Sequence, residues 1–335
     1  MIDPVSKFEY PDAWAELCQD QEGLELVRRG FAVLTSNGKV LRRGFTTGTT
    51  AAAACKAAVG SIDRDRLCKV DITLACGLPC TVEVVAGRGR ASCMKFSGDY
   101  PDDATAGIEF RAEFVDFQQE VALDVGPGIG RLERDTPLYR KGDPAISRTA
   151  MKCIIDSVSE ACRARGEQGA LVRIRAVDGE KVALKTLNQR MGVRNGISVL
   201  GSTGLVEPWD DHLGQDAIER VRRAKRAVVT TGRVGLNHAR LRFPDREVVL
   251  VGARMKTALE SREDGLILFG LPALIINFID QGILERSGYP TVGELIASER
   301  GPEALHESVV RFKERFPGHG IVLIDREGRV LAEAE

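Results

Sequence analysis

Past about residue 210 the chain settles into one repeating pattern: a short apolar run, a stretch with helical spacing, then another apolar run. The runs are Ala227–Thr231, Glu247–Val251, Leu266–Phe269 and Ile321–Ile324. Helical stretches separate them: Leu213–Lys225 leads in, then come Val234–Arg242, Ala253–Glu260 and a segment after Pro272. Short apolar runs without polar alternation read as strands buried on both faces, which needs helices on two sides of the sheet. The alternation predicts a parallel sheet in a three-layer, Rossmann-like α/β domain.

The preceding chain obeys a different rule. Lys69–Leu74, Cys80–Ala86, Ala91–Phe96 and Ile108–Val115 read as strands with few helices between them. In the last, Ile108, Phe110, Ala112 and Phe114 alternate with mostly polar neighbours, as one buried strand face requires. A helix is expected over Ser147–Arg165, with Ala150, Ile154, Val158 and Ala161 at helical spacing, and a strand over Leu171–Val177. The Ala51–Ala58 run is a strong helix former, and a threonine before it can cap its first turn. Asn37-Gly38 between apolar runs signals a hairpin, because both residues accept positive φ. Residues 1–30 read as a polar, helical leader. The expected organisation is therefore a leader and first strand over 1–36, an α+β domain over 37–209, and the Rossmann-like α/β domain over 210–335.

Composition narrows the function. Lys plus Arg is 47 against 48 Asp plus Glu, a net charge of -1, and aromatics are 5%. A nucleic-acid binder usually carries a basic excess, and none is present. The N-terminal segment lacks the basic start and apolar run of a signal peptide, and the longest apolar stretch, near Leu271–Ile279, is too short to span a bilayer. A cytoplasmic protein without a membrane partner is expected; a homo-oligomer is left open. The eight cysteines are expected as free thiols. Cys76 and Cys80 could supply half a zinc site, but no second pair or nearby histidine completes it, so no protein-bound metal is expected.

A hydroxyl-Thr-Gly tripeptide recurs where a strand or loop meets a helix: Thr46-Thr47-Gly48, Ser202-Thr203-Gly204 and Thr230-Thr231-Gly232. Such a turn offers N–H groups and hydroxyls to a carboxylate or phosphate at the positive end of a helix. The same residues also make an ordinary capped turn. Thr230-Thr231-Gly232 gains weight because it ends the first strand of the alternating domain, where α/β folds bind ligands. The Gly196–Gly204 run lies near the domain junction, a favoured ligand position, or is a buried strand plus linker. Asp99, Asp102 and Asp103 cluster after a strand and could supply a general base, or form a solvated acidic turn. Gly126-Pro127-Gly128-Ile129-Gly130 does not have dinucleotide-fingerprint spacing, and no phosphate-binding P-loop or hydrolase elbow is present.

Taken together, these blocks resemble the CbiD family of cobalt-precorrin-5B C1-methyltransferases. The resemblance rests on Leu41–Ala58, on Ser97–Gly107, on Gly142–Ile146, and on Gly196–Pro208 preceded by Lys185-Thr186-Leu187-Asn188 and Gly192. Thr50 stands where the family usually has cysteine, and Phe269–Ala273 stands where many members carry Gly-His-x-Gly-Lys.

The resemblance implies a step of anaerobic cobalamin biosynthesis in which S-adenosylmethionine methylates C1 of cobalt-precorrin-5B to give cobalt-precorrin-6A. Asp99, Asp102 or Asp103 would collect a proton. Substrate carboxylates would meet Arg42, Arg43, Thr46, Thr47, Gly48, Thr49, Lys56 and Arg148. The adenosine moiety would lie near Gly201, Ser202, Thr203 and Gly204 or near Thr230, Thr231 and Gly232. A nicotinamide-dependent reductase and a non-catalytic corrinoid carrier are the alternatives; the missing glycine fingerprint counts against the first.

Overall fold

The computed structural model describes residues 1–100, 103–189, 191–208 and 217–335 as a mixed α/β protein with several sheets. Its contacts divide into two units, Arg42–Asp210 and Met1–Leu41 with Asp211–Glu335.

In the Arg42–Asp210 unit, period-2 burial builds a six-stranded sheet. Its spatial order is Leu67–Thr73, Pro79–Gly87, Arg90–Met94, Glu109–Gln118, Gly169–Ala176 and Ala122–Val125. Neighbours are antiparallel except the last pair, which is parallel. Val70, Ile72, Val82, Val84, Ala91, Cys93, Phe110, Ala112, Val172 and Ile174 are buried on one face, while Lys69, Asp71, Glu83, Arg111 and Arg173 occupy alternate exposed positions. Helices Thr47–Gly60 and Arg148–Arg163 cover the apolar face.

The two helices differ for a physical reason. Arg148–Arg163 is amphipathic and buries Ala150, Ile154, Val158 and Ala161, the expected stripe, together with Cys153, Ser157 and Cys162. Thr47–Gly60 is buried all round, with Lys56 and the terminal Gly60 as half-buried exceptions, because it lies between the sheet and the other helix. Its run of alanines and Gly48 permits that approach. A Cβ at Gly48 would come 2.8 Å from the Ala150 Cβ and 2.9 Å from the Leu200 carbonyl oxygen.

In the other unit, Glu247–Leu250, Ala227–Thr230, Leu266–Gly270 and Gly320–Ile324 lie side by side and parallel. A fifth strand, Val330–Ala334, adds antiparallel at the edge, an element the sequence pattern does not announce. Alternate side chains enter two separate cores. Val229, Val249, Leu268 and Leu323 join residues of the helices Met255–Glu260, Pro272–Ile279 and Gly301–Arg315. Val228, Val248, Ile267, Phe269 and Val322 join Leu236 and Ala239 of the helix Arg233–Arg242. Burial on both faces explains the uninterrupted apolar runs, and each fully buried Val, Leu or Ile contributes about 1.5–3 kcal/mol.

The N-terminal segment departs from the expected helical leader. Asp12–Glu16 and Gln21–Arg28 are helical, but Ile2 bridges Glu9 across a turn organised by the buried Asp3 carboxylate. That carboxylate accepts from the N–H groups of Val5 and Ser6 and from the Tyr10 hydroxyl. Phe8 then lies 5.0 Å, ring to ring, from His238. The Asn37-Gly38 hairpin forms, pairing Ala32–Leu34 with Val40–Arg42, and of its two turn residues only Gly38 takes positive φ, +78°. Of the expected Leu213–Lys225 helix, residues 213–216 lie outside the described residues and Ala217–Arg223 is helical.

Among the described residues no helix is long and apolar enough to cross a membrane.

Candidate functional site

The Gly196–Pro208 segment organises the larger motif blocks. Gly196–Ile197 pairs in parallel with Gly128–Ile129, and Val199 bridges Ile146. The segment then crosses the starts of both helices: the Ser147 N–H donates to the Val199 oxygen at 2.9 Å, and the Gly48 N–H to the Leu200 oxygen at 2.9 Å. Further on, the Cys76 N–H donates to the Thr203 oxygen, and Leu205–Val206 pairs antiparallel with Gly44–Phe45. Phe45 in turn donates to the Phe96 oxygen at 2.7 Å, and Arg43 bridges Gly98. Blocks far apart in sequence therefore meet along one strap.

Both helix starts are capped. The Thr46 side chain accepts from the Thr49 N–H and that of Ser147 from the Ala150 N–H, each at 3.2 Å. Two helix N-termini brought together concentrate partial positive charge. Yet most polar groups assigned to a ligand there are used by the chain itself. The Thr47 hydroxyl donates to the Ser198 oxygen and accepts from the Leu200 N–H at 2.8 Å. The Thr49 hydroxyl donates to the Gly204 oxygen at 2.7 Å and accepts from the Thr46 hydroxyl. The Gly48 N–H is directed at Leu200, as given above. Thr47, Gly48 and Thr49 thus hold the strap in place, a different role from the expected carboxylate contact. Leu200, 54% exposed, and Ser202 lie at the surface over this junction, and Gly201 sits so close that a Cβ would meet the Thr46 hydroxyl at 2.6 Å. Thr203 turns its hydroxyl onto Leu205, and Gly204 takes positive φ, +90°.

The charged candidates separate by burial. Arg42 is half exposed; it pairs with Asp99 at 3.2 Å and its guanidinium lies 5.8 Å from the Phe96 ring centre. Arg43 is buried and pairs with Glu207 at 3.0 Å. Lys56 joins the two helices, donating to Glu160 at 2.6 Å and to the Asp71 oxygen. Arg148 is exposed in the first turn of its helix, and its backbone N–H donates to the Tyr139 hydroxyl.

The acidic cluster is likewise divided. Asp99 accepts the Arg42 backbone N–H at 2.7 Å as well as its guanidinium. Asp102 lies outside the described residues. Asp103 is buried against Lys95, whose side chain is 2% exposed, and also accepts the N–H and hydroxyl of Thr105. Burial alone would raise the Asp103 pKa, but Lys95 and Thr105 outweigh it and hold the carboxyl below its ordinary value. Burial lowers the Lys95 pKa against the opposing pull of Asp103. A carboxylate so stabilised is a weak proton acceptor. Lys95 and Glu160 were not singled out by the sequence motifs. For Lys95 a signal existed: it continues the inward register of Ala91 and Cys93, where a charge is out of place unless paired.

In the other unit, the strand order reverses between Ala227–Thr230 and Leu266–Gly270, the position where open α/β sheets leave a crevice at the strand ends. Thr230, Thr231 and Gly232 stand there, ahead of the helix Arg233–Arg242. Thr230 is fully buried and among the described residues its hydroxyl has no hydrogen-bond partner, nor would a Cβ at Gly232 meet any of them within 4 Å. Gly235 in the first turn approaches Gly270 closely, with 3.1 Å from its ideal Cβ to the Gly270 Cα.

All eight cysteines are free thiols. Burial pushes Cys80 and Cys93 up to about 12, Cys80 with added repulsion from Cys153, Cys76 and Asp71, so neither supplies a thiolate at neutral pH. Among the described residues no group of three or more His, Cys, Asp or Glu is placed to hold a metal ion.

The CbiD family model matches residues 34–208. A protein of Methanoregula boonei named cobalt-precorrin-5B C(1)-methyltransferase is 53% identical over 334 residues, covering 100% of both chains. One of the same name from Methanoculleus marisnigri is 47% identical over 99% of each chain. A crystal structure of the cobalamin biosynthesis protein CbiD from Archaeoglobus fulgidus superposes with a TM-score of 0.57 at 33% identity, over 92% of this chain and 97% of the other.

Proposed function

The chain belongs to the CbiD family, and from that premise we propose that it transfers a methyl group from S-adenosylmethionine to C1 of cobalt-precorrin-5B, giving cobalt-precorrin-6A. The observation that carries the reading is the 53% identity, across the full length of both chains, to a relative bearing that enzyme's name. The strap that gathers the family's motif blocks gives it a physical setting.

The sulfonium donor, when bound, supplies an already activated methyl group. What the chain must provide is mainly position. We assign the donor to Thr230, Thr231 and Gly232, in a unit we read as a Rossmann-like domain. The fit rests on the orphaned, buried Thr230 hydroxyl and the open space at Gly232. Ser202-Thr203-Gly204 suits the donor less, since the Thr203 hydroxyl and the Gly204 carbonyl are already engaged.

The corrinoid, a substrate that carries its own cobalt and many carboxylates, is assigned to the surface of the Arg42–Asp210 unit. Arg42 and Arg148 offer exposed guanidinium groups, and Leu200 an aliphatic contact for the macrocycle. Arg43, Thr46, Thr47, Gly48, Thr49 and Lys56 hold that surface in shape. Of the acids, we assign the proton to Asp99 because it is the more accessible: its side chain is 30% exposed beside Arg42, whereas Asp103 is buried against Lys95 and Thr105. We place the protein in the cytoplasm, with the corrinoid as its partner and no nucleic acid or membrane.

The test is transfer of labelled methyl from S-adenosylmethionine to cobalt-precorrin-5B by the purified, folded protein. Absence of label in the corrinoid overturns the reading. In the same assay Asp99→Asn lowers kcat about 100-fold or more if Asp99 accepts the proton. A fall of less than about threefold removes it from that role.

A further inference from the structure

We infer that the first turn of the helix Arg233–Arg242 holds the α-carboxylate of S-adenosylmethionine, with the Thr230 hydroxyl as a further donor. The inference rests on the reading just given, which puts the methyl donor at Thr230, Thr231 and Gly232, and names the group of that donor which the turn takes.

The other long helices are finished at their starts in one of two ways. Gln21–Arg28, Thr47–Gly60 and Arg148–Arg163 are capped by the side chains of Asp20, Thr46 and Ser147. Pro272–Ile279 and Gly301–Arg315 have proline in the first turn, which removes an N–H group that would need a partner. Among the described residues Arg233–Arg242 has neither. Its N-cap is Gly232, no side chain caps it, and its first turn carries Arg233 and no acidic residue. The helix's own ladder begins where the Leu236 N–H donates to the Gly232 oxygen at 2.9 Å. The N–H groups ahead of Leu236 therefore lie outside that ladder, at the positive end of the helix.

Thr230 points to the same end independently. It stands two residues after Val228, which packs against Leu236 and Ala239, so its side chain is on the helix-facing side of the sheet. The Thr230 Cβ lies 3.6 Å from where a Cβ of Gly235 would sit, in the first turn. Its hydroxyl is fully buried, with no partner among the described residues, and an unmade hydrogen bond of that kind is costly.

Uncapped N–H groups and a spare hydroxyl are donors, and suit a carboxylate. A ribose at this turn would instead be held by an acid at the end of the neighbouring strand. Beyond Glu247–Leu250 the chain reads Val251, Gly252, Ala253 and Arg254, with no acid among them. The amino-acid end of the methyl donor fits the turn better than its nucleoside end. The corrinoid also carries carboxylates, so the test must separate the two sources.

Calorimetric titration should compare S-adenosylmethionine with its decarboxylated analogue. The parent should bind the former at least about tenfold tighter. Thr230→Val should cut that preference about threefold or more, and Thr230→Ser should keep it. Gly232→Asp gives the turn a carboxylate of its own, at a position where a Cβ meets no described atom within 4 Å. Its melting temperature should rise, because a capped helix is more stable. Its affinity for S-adenosylmethionine should fall about tenfold or more, with the analogue bound as tightly as before or more tightly. A melting temperature at or below the parent's overturns the inference, since the turn then already has a partner. So do variants that weaken corrinoid binding and leave donor binding intact, because the turn then takes a substrate carboxylate. A parent that transfers methyl yet binds donor and analogue equally marks the failure of this inference alone. A parent that neither binds the donor nor transfers methyl marks the failure of the functional reading, and the inference falls with it.

Discussion

Thr46-Thr47-Gly48 and Thr230-Thr231-Gly232 are the same tripeptide at a helix start, the first running into its helix from Thr47 and the second ending just before its helix, and the fold uses them in opposite ways. At the first, the Thr47 and Thr49 hydroxyls and the Gly48 N–H are all engaged by the Gly196–Pro208 strap. The glycine is squeezed between a helix and a carbonyl. At the second, among the described residues, the Thr230 hydroxyl is buried without a partner and no atom lies within 4 Å of a Cβ at the glycine. One turn is filled by its own chain; at the other, no described residue reaches the hydroxyl or the space beside the glycine. The lesson is that a helix start becomes a binding site only if no other segment of the protein reaches it first.

That contrast can be tested by parallel substitutions. The largest difference is expected at the glycines. Gly48→Val should overpack the Ala150 and Leu200 contacts and cost about 2–3 kcal/mol. Gly232→Val should change stability by less than about 0.5 kcal/mol while weakening S-adenosylmethionine binding. Calorimetric titration and urea unfolding separate the two effects. Equal stability losses would mean that the second turn is as crowded as the first.

The hydroxyls should give effects of opposite sign. Thr49→Val removes a donor to the Gly204 oxygen in a buried site, with an expected cost of about 1–3 kcal/mol. Thr230→Val removes a hydroxyl with no partner among the described residues, so stability should hold or rise by up to about 1 kcal/mol. A comparable loss at Thr230 would reveal a partner and erase the distinction.

Acidification should sharpen the comparison at the level of the two units, with a smaller effect. Burial holds His238 below its ordinary 6.5, against the pull of the Arg326 carbonyl and nearby acids. Below pH 6.5 the unfolded chain binds the proton more readily, so stability from this group is complete above that pH and is lost as pH falls toward the folded value. Asp103 is also depressed, but from an ordinary value of 3.8, so its contribution persists until the pH falls below that and through the folded value. Hydrogen exchange should show the His238 unit weakening first. His238→Phe should flatten its pH dependence below 6.5, and loss of protection in both units together in that range would contradict the assignment.

Much of the architecture was legible in the sequence. The strands of the parallel sheet read directly as apolar runs because both their faces are buried, and Ile108, Phe110 and Ala112 revealed a one-sided strand. The capping threonine and the Arg148–Arg163 stripe depend only on neighbours within the helix. Less legible were elements whose stability comes from afar. Val330–Ala334 alternates between partly buried and exposed residues and is a strand because an edge awaits it. Residues 1–10 turn on the buried Asp3, whose role in sequence is indistinguishable from that of a surface acid.

The same division runs through the candidate site. By itself the sequence determined the family motifs, the residue types available to an anionic substrate and the positions of the helix starts, because these depend on local spacing. Only the tertiary structure decided which of those groups are left to bind anything. It turned Thr47 and Thr49 inward, tied Lys56 to Glu160, and buried Lys95 with Asp103 while leaving Arg42 half exposed. The physical reason is that a polar group is satisfied by whichever partner reaches it at hydrogen-bond distance. For most of them that distance is set by segments 50 to more than 150 residues away in the chain, such as the 57 residues between Arg42 and Asp99 and the 155 between Thr49 and Gly204, whereas Lys95 and Asp103 are only 8 residues apart.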